Sequence, residues 1–488
     1  MKLTEATLPL LPAGVARPAY DRARLTSGIV HIGCGNFHRA HQAVYFDDLF
    51  ALGEGLDFAI TGAGVRDGDE RMRQALAGQD WLYSVVELEP GARNARVIGS
   101  LNGFVPVSPG NGPLIAAMAA PATRIVSLTV TEGGYYIDPM TGTFSPDHPD
   151  IRRDAQVPDR PETAFGAIIA ALKQRRAAGV QPFTVMCCDN VPHNGRVTRD
   201  AVVGLCALSD PALADWIGAN VAFPNSMVDR ITPATGDRER AMVRSLGLED
   251  AAPVTCEPFR QWVMEDSFPA GRPPLERVGV TFTDRVDLYE TMKIRILNGG
   301  HAIIAYPAGL LGIELVHEAM ADGQIRAFLD RLLTTEVLPI LPEVPGVSLT
   351  DYKALIISRF SNPEVADTVR RLCLDGSNRQ PKFIVPSARD GLGAGRDIAG
   401  LALASALWCR YCFGVDETGA AIAPNDPNWD RLTRTAAAAR HDPAAWLAMT
   451  DIYGDLGRDS RFAAAFGRAL GDLWSKGTRA CLAAYLAG

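Results

Sequence analysis

The sequence predicts an α/β protein in two parts: a domain built on a parallel sheet over residues 1–284, then a mainly α-helical domain over residues 285–488. Three observations predict it. Short apolar runs alternate with helical stretches in the first part. A glycine turn closes the first of those runs. From about residue 285 strand-like runs become rare, helical periodicity dominates, and alanine, the best helix former, grows abundant toward the end.

Taken in order, a leader containing Pro9, Pro12 and Pro18 precedes the apolar run Gly28–Gly33, read as a buried first strand. Apolar residues at helical spacing (Phe37, Ala40, Val44, Tyr45, Leu49) predict a helix over Asn36–Leu52. Phe58–Gly62 is a second short strand. Arg124–Val130 and Phe183–Cys187 are two more, with a helix over Ala164–Ala178 before the last. Strand, helix, strand order with apolar strands implies a parallel sheet covered on both faces. Ligands bind such sheets at the strands' carboxyl ends. The loops there begin Thr131-Glu132-Gly133-Gly134-Tyr135 and Asp189-Asn190-Val191-Pro192-His193-Asn194. In the second part, helices are expected over Tyr289–Leu297, Gln324–Val337, Glu364–Leu374, Ile398–Cys412 and Arg461–Ala487, with the boundary near Thr283–Val286. No internal repeat is visible.

Composition narrows the field. At 488 residues the chain has ample length for large cores. A net charge of −8 disfavours nucleic acid or an anionic membrane as the main partner. The opening residues lack the apolar core of a secretory signal, and no run of apolar residues is long enough for a membrane span. Nine scattered cysteines argue for a reducing, cytoplasmic setting. Cys187-Cys188 and Cys409-Arg-Tyr-Cys412 lack the companion ligands of a zinc site, so both read as buried thiols and no metal is expected.

Gly33-x-Gly35-x-x-His38 keeps two glycines of the dinucleotide fingerprint. The first allows a tight turn and the second lets the backbone approach a pyrophosphate. A histidine at the third position implies a variant geometry. Asn36 and Phe37 open the following helix, whose N-terminus faces the negative charge. After the second strand the chain reads Arg66-Asp67-Gly68-Asp69. An acid here accepts bonds from ribose hydroxyls and repels a 2′-phosphate. Asp67 is the first choice and Asp69 the second, which favours NAD, although Arg66 could instead meet the phosphate of NADP. The first part therefore reads as a Rossmann-type NAD-binding domain.

Lys293-Ile-Arg-Ile-Leu-Asn298-Gly-Gly-His301 carries the chemistry of the second part. Desolvation lowers a lysine's pKa, so a lysine in so apolar a segment is a usable proton acceptor. Amides at Asn298 and Asn190 can donate to a developing alkoxide or carbonyl oxygen. His301 can hold a neighbouring hydroxyl, and Glu132 can relay a proton to water. On spacing alone each is equally readable as structural: a snorkelling lysine, a helix-capping histidine, a solvated loop acid. Tyr289-x-x-x-Lys293 matches the pair of short-chain dehydrogenases but lies in the helical domain, so Tyr289 reads as packing. Asp229, Arg371 and Arg379 read, on residues alone, as structural ion pairs.

At these residues the chain resembles the polyol-specific long-chain dehydrogenases, the mannitol dehydrogenase family. The matching stretches are Ile32-Gly-Cys-Gly-Asn-Phe-His-Arg-Ala-His-Gln42, Ser127–Tyr135, Phe183–Asn190 with Pro192–Gly195, Phe223–Pro233, Cys256–Trp262, Leu297–His301 and Asp375–Phe383. The resemblance implies metal-independent hydride transfer between NAD and C2 of a polyol or ketose, mannitol and fructose foremost, with D-arabinitol and sorbitol as other candidates. It implies Lys293 as general base, Asn190 and Asn298 as oxyanion amides, His301 as substrate-orienting residue and Glu132 as the proton exit. It places Asp229, Arg371 and Arg379 on the polyol chain. Gly300 stands where a hydroxyl residue is common in the family, and Arg379 where lysine is usual. A hexuronate reductase such as fructuronate reductase is the alternative within the superfamily, and a catalytically silent dinucleotide-binding regulator the alternative outside it. The expected partner is a small polyol or ketose, on a monomer or small homo-oligomer.

Overall fold

The computed structural model describes residues 1–138 and 142–488. The chain divides into two compact units, Met1–Val286 and Asp287–Gly488.

The first unit is built on a five-stranded, wholly parallel sheet. Its strands are β1 (Ser27–Ile32), β2 (Ala59–Ala63), β3 (Leu101–Phe104), β4 (Ile125–Leu128) and β5 (Thr184–Cys187). They lie in the order β3-β2-β1-β4-β5. This is the Rossmann order, in which the strand sequence reverses beside β1 and opens a crevice at the carboxyl ends. The strands are apolar on both faces because both faces are covered. Ile29, Ile60 and Ile125 enter one core, and Val30, Ile32, Val126 and Leu128 enter the other. The helix Ala164–Ala177 packs in the second core.

Helix formation after β1 differs from expectation. The stretch is two helices, α1 (Asn36–Ala40) and α2 (Gln42–Ala51), because His41 leaves the helical region (φ −116°, ψ −84°). His41 is fully buried, and its Nε2 is bonded at 2.8 Å to the carbonyl of Gln261. That carbonyl accepts only, so Nε2 carries the proton. A tertiary bond thus overrides the local helical periodicity. A second sheet pairs Tyr83–Glu89 with Ala92–Ile98 antiparallel across Pro90-Gly91, where Gly91 has φ +79°. A third pairs Ser226–Asp229 with Gln261–Met264. Cys187, Cys188, Cys409 and Cys412 are all buried free thiols.

The second unit is helical, and among its described residues only isolated bridges have strand pairing. Its first helix, α3 (Val286–Lys293), runs into a π-turn at Ile294–Asn298 and on into α4 (Gly299–Leu310). The expected helix over Glu364–Leu374 is only the single turn Val369–Leu372. Ala366 sits at φ +48°, and the Thr368 side chain caps the turn by accepting from the Arg371 amide. The final helix, Ser460–Ala487, is kinked at Gly477 (φ +82°).

Candidate active site

The carboxyl ends of β1, β2 and β4 border a cavity of about 610 Å³ in the first unit, whose lining includes Gly33, Gly35, Arg66, Asp67, Thr129 and Tyr136. Gly33 has φ +98°, and a Cβ there would stand 2.1 Å from the Thr129 carbonyl oxygen, so only glycine fits. Gly35 is in extended backbone, and a Cβ there would meet nothing nearer than the Gly33 oxygen at 4.0 Å. The first glycine therefore makes the turn, and the second keeps a wall of the cavity bare. Asn36 faces the protein, its amide donating to the Pro233 carbonyl and the Thr235 hydroxyl. Phe37 stacks on His41 with ring centroids 4.9 Å apart.

The third fingerprint position is filled by packing. His38 is buried and stacks on His31 at 3.4 Å, with its Nδ1 bonded to Gln42 at 2.7 Å. Burial pushes the His38 pKa down to about 3 and the His31 pKa well below the ordinary range, so both are neutral. His31, Cys34 and His38 bring potential ligand atoms within 4.8 Å of one another. The rings are nearly parallel, so their in-plane lone pairs run side by side instead of converging on one point about 2.0–2.1 Å from each nitrogen. Both His31 nitrogens already meet hydroxyls, Ser127 Oγ at 2.7 Å and Thr129 Oγ1 at 2.9 Å. This is a packed polar core.

The two acids after β2 have different surroundings. Oδ2 of Asp69 accepts from the amides of Val65 and Arg66, both at 3.0 Å, and the carboxylate fills the space where a Cβ at Gly64 would be. Asp69 thus shapes the loop. Asp67, the first residue of the helix Asp67–Ala77, is exposed on the cavity's edge.

Glu132 begins a short 3₁₀ turn, Glu132–Tyr135, and is exposed. The residue before it, Thr131, has φ 68° and ψ 162°, a region that costs a non-glycine residue on the order of 1–3 kcal/mol. Asn190 is exposed just past β5. Asp229 is buried at the end of its strand, directly opposite Gln261.

In the second unit the π-turn decides which side chains share a face. Residues five apart in an α-helix differ by about 140° in direction. The i→i+5 bonding of a π-turn widens the turn and narrows that angle, which swings Asn298 toward the face of Lys293. His301, three residues on, is Asn298's neighbour on the helix surface, and the Lys293 charge acts on it. Lys293 is 6% exposed. The carboxamide oxygen of Asn298 and Nε2 of His301 are buried without a hydrogen-bond partner. Each such atom costs about 1–3 kcal/mol, an outlay expected at a binding site. His301 stacks on Phe360 at 4.1 Å. Its pKa is held well below the ordinary range by burial and then by the charges of Arg371, Arg359, Arg379 and Lys293. It is a neutral imidazole in a cationic setting. A Cβ on Gly300 would approach Phe360 to 3.2 Å, so a larger residue would press on the ring beneath His301.

Arg371 is exposed, with both Nε and Nη2 donating to Asp367. Arg379 donates to the backbone carbonyls of Leu372 at 3.0 Å and Arg371 at 3.3 Å. Tyr289 gives its hydroxyl hydrogen to the Pro345 carbonyl at 2.6 Å, as a packing residue would. Sequence reasoning missed the half-buried Asp189, the buried cation Arg359 and the ring of Phe360. Asp189 alone had a visible signal: it precedes Asn190 at a strand's carboxyl end.

Two family models match the chain: "Mannitol dehydrogenase Rossmann domain" over residues 27–277 and "Mannitol dehydrogenase C-terminal domain" over residues 285–474. A mannitol 2-dehydrogenase of Cereibacter sphaeroides is 63% identical over 97% of this chain and 99% of its own. Among solved structures, the Pseudomonas fluorescens mannitol 2-dehydrogenase ternary complex with NAD and D-mannitol matches with a TM-score of 0.90 and 45% identity over all of both chains. A D-sorbitol dehydrogenase in substrate-free form matches with a TM-score of 0.91 and 36% identity, over 99% of this chain and all of its own. The chain belongs to the mannitol dehydrogenase family.

Proposed function

We propose that this chain is an NAD-dependent dehydrogenase that interconverts mannitol and fructose, with Lys293 as the general base. The observation that carries the reading is the 63% identity, along nearly the full length of both chains, with a mannitol 2-dehydrogenase. The cavity at the carboxyl ends of the sheet fits a dinucleotide in its bare glycine wall and in the one acid, Asp67, that its own loop leaves open. NAD, when bound, accepts the hydride from the carbon undergoing oxidation.

The residues then divide the remaining work. Lys293 takes the hydroxyl proton at C2. Amide hydrogens of Asn190 and Asn298 donate to the oxygen as negative charge grows on it. Neutral His301 pairs through Nε2 with an adjacent substrate hydroxyl, which satisfies a ring nitrogen otherwise buried without a partner. Exposed Glu132 passes the proton to water. Asp229, Arg371 and Arg379 bind the polyol chain. A lysine base needs no metal for any of these steps. A hexuronate substrate would need a free guanidinium edge for its carboxylate; one edge of Arg371, Nε and Nη2, already faces Asp367, and Nη1 of Arg379 faces backbone carbonyls.

The test follows reduced-nicotinamide absorbance with purified protein, NADH or NADPH, and fructose or fructuronate in turn. Rapid NADH loss with fructose supports the reading, and mannitol, D-arabinitol and sorbitol are then ranked in the reverse direction. Loss only with fructuronate overturns it in favour of the uronate reductase. NADH binding with neither turnover points to a regulator.

A further inference from the structure

The loops after β4 and β5 meet at one carboxylate that the scheme above does not use. Asp189 Oδ2 accepts from the Val130 amide at 2.8 Å and from the Tyr135 hydroxyl at 2.6 Å. Its Oδ1 accepts from the Thr131 amide at 3.2 Å. The three donors bracket Glu132, two before it and one after. They also span the strained Thr131, at φ 68°, and Tyr136, the residue that follows them, is at φ 52°. Backbone in such a region persists only where its neighbours over-determine it. Charge-assisted bonds to amide and hydroxyl hydrogens are the strong kind. Burial raises the Asp189 pKa despite those three donors, so the chain keeps a costly carboxylate here.

We propose that Asp189 is a positioning residue for the reaction: it locks the Glu132 turn in its strained geometry and ties that turn to the one carrying Asn190. This rests on the function proposed above, in which Glu132 and Asn190 act on the proton and on the oxygen. Asp189 itself touches neither. It also borders the dinucleotide cavity through two of its partners, because Val130 and Thr131 belong to the lining.

Two variants test this. Asp189→Asn keeps the size but turns one accepting oxygen into a donor that faces N–H or O–H. Tyr135→Phe removes a single donor and leaves both amides in place. For each, kcat and KM are measured with mannitol and NAD, and the primary deuterium isotope effect with mannitol labelled at the reacting carbon. Active sites are counted by NADH fluorescence titration, so an unfolded fraction drops out. The expected result for Asp189→Asn is a fall in kcat per site of about tenfold or more, with a smaller fall for Tyr135→Phe. The isotope effect rises in both as hydride transfer becomes slower, and the KM for mannitol moves by less than about threefold. Normal kcat per site, or a fall without a rise in the isotope effect, overturns the proposal. If Asp189→Asn does not fold, Tyr135→Phe decides by the same two criteria. If the unaltered protein turns over neither mannitol nor fructose, the proposed function fails instead. Asp189 is then judged by amide exchange over residues 129–136, which Asp189→Asn must speed; unchanged exchange overturns it.

Discussion

The glycine turn of the first unit and the π-turn of the second reach the same end by opposite means. In the first, the backbone is the instrument. Gly33 adopts a φ closed to other residues, Gly35 leaves bare wall, and buried or half-buried carboxylates bind the flanking loops through their amides. The loop carboxylates there have their amide partners, while Nε2 of His38, Nδ1 of His41 and Nε2 of Gln42, packed behind the turn, are buried without one. In the second, the backbone is one continuous helical run and the side chains are the instrument. A single π-turn narrows the angle between Lys293 and Asn298, and the Asn298 carboxamide oxygen and Nε2 of His301 are buried without a hydrogen-bond partner. The loop surface around the glycine turn is held in shape by its own backbone and carboxylates. A surface that waits for substrate hydroxyls carries unmet hydrogen bonds.

The contrast can be broken at either end. Apart from loss of the base itself, the largest effect is expected at the π-turn: Asn298→Ala should lower kcat by about a hundred- to a thousandfold, as for loss of an oxyanion donor. NADH affinity, read by fluorescence titration, should hardly move. Gly33→Ala should do the reverse. Its Cβ would strike the Thr129 carbonyl, so NADH binding should weaken by about tenfold or more, with a clear drop in melting temperature. Equal NADH affinity in that variant would remove the backbone from the argument. Asp67→Ala should be milder still, narrowing the preference for NADH over NADPH by about tenfold, whereas Asp69→Ala should lower stability through its loop amides.

The smallest effect concerns pH. Burial holds the His38 and His41 pKa values down to about 3, below the value of about 6.5 they regain on unfolding. The unfolded chain therefore binds more protons, and stability rises with pH across this window. It is fully present above about pH 6.5 and is lost as pH falls toward 3. Thermal melts between pH 7 and pH 4.5 should show this, with a shallower slope in His38→Gln. An unchanged slope in that variant would show that His38 does not stay neutral in the fold.

Much of the α/β half could be read from the chain because its signals are local. Apolar runs mark strands buried on both faces, and Gly33 marks a turn that no other residue makes. Features that depend on distant partners could not be read. The helix after β1 breaks at His41 because a carbonyl 220 residues away binds its ring. The π-turn leaves no mark in composition or periodicity, yet it narrows the angle between Lys293 and Asn298. Asp67 and Asp69, two residues apart, both stand as candidates in the sequence, the first ahead of the second, and only the folded loop shows that Asp69 is committed to backbone amides. The segment over Glu364–Leu374 has helical spacing, but Ala366 at φ +48° interrupts it, leaving one capped turn.

The central claim is that the first unit holds the dinucleotide and Lys293 moves the proton. Lys293→Ala tests it most directly, with NADH binding and turnover measured on the same preparation. The account predicts NADH affinity close to that of the unaltered protein and a fall in kcat of about a hundred- to ten-thousandfold, the range for loss of a general base. Near-normal turnover would take the lysine out of the mechanism, and joint loss of NADH binding would contradict the division of labour between the two units.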